Sequence, residues 1–95
     1  MKSNHGDEDV IPTCRQEVAH WIRKYQNNHN DSKAFWKLRC YLNWCEKQDR
    51  QDVLIRFKDC CASDSENIEH RLREEGWMSM SKQEVVQRAN RYLNN

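Results

Sequence analysis

The 95-residue chain has almost no residues that break a helix. It contains two glycines and a single proline, although hairpins and other tight turns depend on these residues at fixed positions. The β-branched residues that favour strands are also scarce. Apolar residues instead recur at spacings of three and four, as on one face of an amphipathic helix. These features predict an all-α fold, a compact orthogonal bundle of about five short helices with the second helix at its centre.

The first two helices have the clearest pattern. Thr13 and Gln16 have the spacing of a capping box, in which each side chain bonds an otherwise unsatisfied backbone N–H, so the first helix starts here. It ends at the polar, turn-forming run 26–31. The second helix covers about 32–47 and is apolar on two sides. Such a helix either lies at the centre of its domain or faces a partner.

Three further helices are predicted after residue 48. The third covers about 50–61, and Ile55 lies off its buried face. That face comprises Val53, Leu54, Phe57, Cys60 and Cys61. The fourth covers 63–76, opens with a capping box and stops at Gly76. The fifth is capped by Ser81 and carries an apolar face to the end of the chain.

The length of the chain supports one small hydrophobic core. Residues 1–10 contain the acidic run Asp7, Glu8 and Asp9, which predicts a flexible acidic N-terminal arm. Residues 11–95 are predicted to form a single helical domain. Four tryptophans in a chain with a net charge of +1 favour folding over disorder.

The cysteines and the apolar runs restrict the compartment and the chemistry. Five cysteines without an apolar leader segment predict reduced thiols in a cytoplasmic or nuclear protein. The apolar run 40–45 is too short to span a bilayer, so no membrane contact is expected. No C-x-x-C pair, glycine-rich phosphate loop or nucleophile elbow occurs. We therefore expect no metal, no cofactor, no small-molecule substrate and no enzymatic activity.

Charge is distributed unevenly along the chain. Residues 10–58 contain ten Lys and Arg but five Asp and Glu, whereas residues 59–76 contain two and six. A basic region attracts acidic protein surfaces and nucleic-acid phosphates alike. Two binding functions follow from this pattern.

The favoured function is a small interaction module, an adaptor or inhibitor, that docks on another protein. Its predicted surface is the second apolar side of the second helix, because tryptophan and arginine are enriched at binding hot spots and a charged rim is usual. The surface comprises Trp36, Cys40 and Trp44, with Lys37, Arg39 and Lys47 at its rim. The same residues fit a homodimer. If both tryptophans complete the core instead, this site is lost.

A nucleic-acid-binding module is the alternative. Cations beside aromatic rings bind single strands, and arginine and glutamine read base edges. Two alternative faces could serve this function: the basic face of the first two helices, or the polar face of the last helix. The first comprises Arg15, Arg23, Lys24, Lys33 and Lys37, and the second comprises Gln87, Arg88 and Arg91. A steep loss of affinity with salt is the property that distinguishes it from protein docking.

Overall fold

The computed structural model describes residues 11–60 and 65–94. These residues contain five helices, joined by non-helical connectors, and no strand of a sheet. The helices are α1 (Cys14–Asn27), α2 (Ser32–Gln48), α3 (Phe57–Cys60), α4 (Ser65–Glu74) and α5 (Lys82–Asn94). The predicted all-α fold is confirmed. The acidic arm predicted for residues 1–10 and the start predicted for the fourth helix at residue 63 lie outside the described residues.

Helix α1 begins as its sequence predicts. The Thr13 hydroxyl accepts a hydrogen bond from the backbone N–H of Gln16 (3.2 Å), and the Gln16 side chain accepts one from the backbone N–H of Thr13 (2.9 Å). This capping box satisfies two donors that the first helical turn leaves open. Helix α2 starts with a cap that the sequence analysis did not assign, because the Asp31 carboxylate accepts from the N–H of Ala34 (3.0 Å).

Helix α2 is the centre of the fold, as predicted. It contacts each of the other four described helices. Its buried residues are Ala34, Phe35, Leu38, Cys40, Tyr41, Leu42, Asn43 and Cys45. These positions extend around most of the helix circumference. The second apolar side contributes Cys40 to the core, while Trp36 and Trp44 on that side are half-buried.

The prediction of a helix over 50–61 is wrong. Residues 50–56 contain no helix, and Phe57–Cys60 are the helical residues in the described part of this range. Cys61, which was expected on the buried face, lies outside the described residues. The carbonyl oxygens of Val53 and Gln51 accept hydrogen bonds from the N–H groups of Cys14 (2.9 Å) and Arg15 (3.1 Å). These donors lie in the first turn of α1, where they have no partner within the helix. Tertiary backbone pairing therefore replaces local helix formation in this segment.

The same pairing reverses the predicted burial of two side chains. Ile55, which was expected off the buried face, is 1 % exposed, and its N–H donates to the carbonyl of Pro12 (2.9 Å). Leu54, which was expected to be buried, is 61 % exposed and forms an isolated β-bridge with Thr13. Successive side chains of an extended segment point to opposite sides, so burial of Ile55 exposes Leu54. Phe57 is also exposed, against expectation.

The predicted boundaries near residue 76 and residue 81 are confirmed. Gly76 has a positive φ of 86°, the conformation that commonly ends a helix, and follows α4 closely. The Ser81 hydroxyl accepts from the N–H of Glu84 (3.1 Å) at the start of α5. Trp77, which the sequence places in an apolar connector, is part of the core and is 2 % exposed. Its indole N–H donates to the buried Asn43 side chain (3.0 Å).

Candidate binding surface

The predicted aromatic surface of α2 is partly absorbed by the core. Cys40 is 2 % exposed and provides no contact area for a partner. Trp36 and Trp44 are half-buried and pack against the core, so their rings are neither sealed inside the chain nor free. The later helices α3 and α4 contact α2. Protein binding by Trp36 and Trp44 stays a prediction.

The three cations at the rim of that surface have different surroundings. Lys47 pairs with Glu75. The guanidinium of Arg39 lies over the Phe35 ring, 4.2 Å from its centroid, and one of its N–H groups faces the sulfur of Met78 (3.5 Å). Burial lowers the pKa of Arg39 below its usual value, and its Nε has no hydrogen-bond partner among residues 11–60 and 65–94. Lys47 and Arg39 are thus engaged within the chain, whereas Lys37 belongs to another cluster.

That cluster is the aromatic–lysine patch, which we define as Trp21, Lys24, Lys37, Tyr41 and Phe57. The Lys37 ammonium lies 4.1 Å from the centroid of Phe57 and 5.2 Å from that of Trp21. Lys24 lies 5.9 Å from the Trp21 centroid. The rings form a continuous series, because Tyr41 stacks with Trp21 (6.5 Å) and contacts Phe57 (5.6 Å). Cation–π attraction at these separations holds the lysines over the rings.

Three elements of the fold bring the patch together. Trp21 and Lys24 are three residues apart on α1, and Lys37 and Tyr41 are four residues apart on α2, so each pair shares a helix face. Phe57 comes from the start of α3. The indole N–H of Trp21 donates to the Glu17 carboxylate (3.1 Å), and His20 contacts the ring edge-on (4.6 Å). These contacts fix the orientation of the indole at the surface.

The two lysines of the patch have no carboxylate partner within the described residues. Most of the described acidic side chains of α4 and its end instead already contact basic side chains of the same chain. The basic–acidic pairs are Lys47–Glu75, Arg50–Asp52, His70–Glu74, Arg73–Glu69 and Arg88–Glu46. The two lysines of the patch outnumber the Glu17 carboxylate that bonds its Trp21 ring, so positive charge is in excess beside exposed apolar area.

Exposed apolar area is concentrated in the segment that carries Phe57. Leu54 is 61 % exposed and Phe57 is 37 % exposed, and they are the large hydrophobic side chains that lie exposed in residues 11–60 and 65–94. Tyr41 is buried beneath the patch and serves as its support. Large apolar side chains that remain in water beside cations are typical of binding surfaces.

The residues predicted to bind nucleic acid fall into separate groups. Arg15 donates to the side chain of Gln51 (2.7 Å), which in turn donates to the carbonyl of Tyr92 on α5 (2.8 Å). Arg15 therefore lies towards α5, whereas Lys24 and Lys37 lie towards α3. Arg23 and Lys33 are exposed on α1 and α2.

The polar face of α5 forms an open depression lined in part by Gln87, Arg88 and Arg91. Arg88 is engaged there, because its guanidinium lies 4.4 Å from the Trp77 ring centroid and pairs with Glu46. Gln87 and Arg91 are exposed. The two alternative faces are separate surfaces, and nucleic-acid binding by either of them stays a prediction.

The sequence analysis assigned Phe57 to a buried face and did not single out Trp21 or Tyr41 for a binding role. The i, i+3 pair Trp21–Lys24 and the i, i+4 pair Lys37–Tyr41 were visible signals, since such spacings put a cation beside an aromatic ring. Phe57 had no such signal. Its exposure depends on the extended segment before it.

A buried thiol–hydroxyl cluster lies elsewhere in the fold. Cys14 and Cys45 are both 0 % exposed and lie near one another and near the buried Tyr92 hydroxyl, which has no hydrogen-bond partner among the described residues. Burial raises the pKa of both thiols and of the Tyr92 phenol above their usual values. Thiols with a raised pKa are poor nucleophiles, because the reactive thiolate is rare at neutral pH.

Two further observations concern the described residues. No group of three or more His, Cys, Asp or Glu side chains among them is arranged to hold a metal ion. No helix among them combines the length and the hydropathy needed to cross a bilayer.

No protein-family model, curated protein or solved structure matches the chain. Its own contacts therefore carry the functional inference.

Proposed function

We propose that this protein is a small, non-enzymatic binding module that docks on an acidic segment of another protein through the aromatic–lysine patch. The observation that carries the proposal is the position of Lys37. Its ammonium lies over two aromatic rings and has no carboxylate partner in the described part of the chain. This arrangement replaces the surface predicted around Trp36 and Trp44 as the main contact site.

The chemistry of the patch suits a partner that combines carboxylates with apolar side chains. A lysine ammonium has three N–H donors, and the ring faces attract its charge without accepting a conventional hydrogen bond. The donors of Lys24 and Lys37 thus remain open to carboxylates of a partner. Phe57 and Leu54 add apolar area that a partner would remove from water, which stabilises the complex by about 25 cal/mol per Å².

Protein docking is favoured over single-strand binding by the state of the ring faces. Bases bind such surfaces by stacking on open aromatic faces. In the patch, Lys37 covers faces of Trp21 and Phe57, and Tyr41 is buried. A single strand would therefore find few open rings to stack on.

The proposal is tested by selecting ligands from a library of random dodecapeptides on the immobilised full-length chain. We expect the selected peptides to be rich in Asp and Glu with interspersed Leu, Phe or Trp. Lys37→Gln is expected to weaken their binding about tenfold, which corresponds to about 1.4 kcal/mol. Fluorescence anisotropy with synthesised peptides measures this loss.

The matched control is Lys82→Gln, because Lys82 also lies over an aromatic ring, 5.9 Å from the centroid of Phe35, but outside the patch. It removes the same charge and is expected to leave the affinity within about twofold. Equal losses for the two variants, basic peptides, or no selected peptide would overturn the proposal. Binding of oligo(dT) or oligo(U) that depends on Lys37 and falls steeply with salt would favour nucleic acid instead.

A further inference from the structure

The chain enters the described fold beside the segment that carries the exposed side chains of the surface. The Pro12 carbonyl accepts a hydrogen bond from the N–H of Ile55 (2.9 Å), and Thr13 forms a bridge with Leu54. Leu54 therefore lies beside the first described residues of the chain, and Phe57 of the patch follows Ile55 by two residues. Residues 1–10 are thus tethered near the segment that carries Phe57.

The residues just before this point have the composition that the patch would select. Asp7, Glu8 and Asp9 are consecutive carboxylates, and Val10 and Ile11 follow them as apolar residues. The patch has two lysines without carboxylate partners in the described residues, and exposed apolar side chains lie nearby. Charge and hydropathy are thus complementary between two parts of the same chain.

The tether is long enough for contact. Lys24 is eleven residues beyond Thr13 on α1, which corresponds to about 16 Å along the helix axis at 1.5 Å per residue. Asp7 is six residues before Thr13, and an extended chain of that length reaches about 20 Å. An extended chain from Thr13 to Asp9 spans about 14 Å. The distance from Thr13 to Trp21 along the α1 axis is about 12 Å. The carboxylates can therefore meet both lysines without any change in α1.

We propose that Asp7, Glu8 and Asp9 bind Lys24 and Lys37 within the same chain and compete with the protein partner for the aromatic–lysine patch. The inference rests on the proposed function, since it assigns an internal competitor to the same surface. Short tethers give effective concentrations in the millimolar range, so individually weak ion pairs are sufficient to occupy the site. A partner must displace this segment, which lowers its apparent affinity by the fraction of chains that remain open.

The test uses the full-length chain with the substitutions Asp7→Asn, Glu8→Gln and Asp9→Asn together. Its probe is the acidic peptide obtained by the selection described above. We expect the neutralised arm to tighten binding of that peptide about threefold to tenfold at low salt, because the competitor is lost. The gain should shrink as ionic strength rises, since exposed ion pairs are screened.

Two controls separate competition from a general change in charge. The combination Asp49→Asn, Asp59→Asn and Glu84→Gln removes three exposed carboxylates outside the arm and is expected to change the affinity less than twofold. In a Lys24→Gln, Lys37→Gln background, neutralising the arm should have no further effect. An equal gain in the control combination, or no gain with the neutralised arm, would overturn the inference.

A second readout does not depend on any partner. In ¹H–¹⁵N NMR spectra, neutralising the arm should shift the Trp21 indole resonance and the backbone amides of Lys24 and Lys37, while the Trp77 indole stays unchanged. Unshifted patch resonances would overturn the inference even if the peptide binds as proposed. Shifts that grow with protein concentration would show that the arm binds a second copy, which also contradicts it. Failure of the proposed function alone would appear as peptide binding that ignores Lys37.

Discussion

Replacing Trp77 with alanine is expected to lower the free energy of unfolding by about 3–5 kcal/mol, a large part of the stability of a domain of this size. Trp77 is 2 % exposed and is the largest of the fully buried side chains in the described fold. Its removal leaves a cavity beside the central helix. It also leaves the buried Asn43 side chain without the indole donor and Arg88 without the ring beneath its guanidinium.

Urea denaturation followed by circular dichroism measures this loss. Trp36→Ala is the matched control, because it removes the same side chain from a half-buried position on α2. We expect the control to lose clearly less stability. Trp77→Phe isolates the hydrogen bond and is expected to cost about 1–3 kcal/mol, since the Asn43 acceptor stays buried without its donor. Equal losses for Trp36→Ala and Trp77→Ala would contradict the assignment of Trp77 to the core.

Alkaline pH is expected to unfold the protein through the buried thiol–hydroxyl cluster. Cys14 and Cys45 have a usual pKa of 9.0 and Tyr92 one of 10.0, and burial raises all three pKa values in the folded state. Below pH 9 the folded and unfolded states both hold these protons, so stability does not depend on the cluster. Above pH 9 the unfolded state loses protons first, and unfolding becomes more favourable.

The expected loss approaches at most about 1.4 kcal/mol per pH unit for each thiol as the pH rises above 9. Tyr92 adds to the slope above pH 10 for the same reason. The measurement is a series of urea titrations between pH 8 and pH 10.5 with a non-thiol reductant present.

A variant with Cys14→Ala and Cys45→Ala tests the cause of this loss. It is expected to be less stable at pH 7 because two buried side chains are truncated, but its stability should fall less steeply with pH. An unchanged slope would show that other groups cause the alkaline loss.

Local signals in the sequence predicted the helices whose ends are defined by neighbouring residues. The Thr13–Gln16 capping box, the Ser81 cap and the stop at Gly76 all act within three or four residues, and each was confirmed. The central position of α2 followed from its two apolar sides. The pattern did not decide whether the second apolar side of α2 is covered by the chain itself or by a partner, because a core and a binding surface require the same apolar residues.

The segment 50–56 shows where the sequence was insufficient. Its side chains alternate between more buried and more exposed positions because the N–H groups at the start of α1 donate hydrogen bonds to the carbonyl oxygens of Gln51 and Val53. Those donors are far away in sequence, so no local pattern reports them. Exposure of Phe57, and with it the aromatic–lysine patch, is a consequence of that long-range pairing.

The amino-acid sequence by itself determined the all-α class, the ends of three helices and the central place of α2, because periodicity and capping are interactions between near neighbours. Only the tertiary structure decided that Trp77 enters the core, that Leu54 and Phe57 stay in water, and that Lys37 lies between two rings. The physical reason is that burial depends on which distant element covers a side chain. The position of a residue on a helix specifies the direction of its side chain. The packing of the whole chain specifies which residues that side chain contacts.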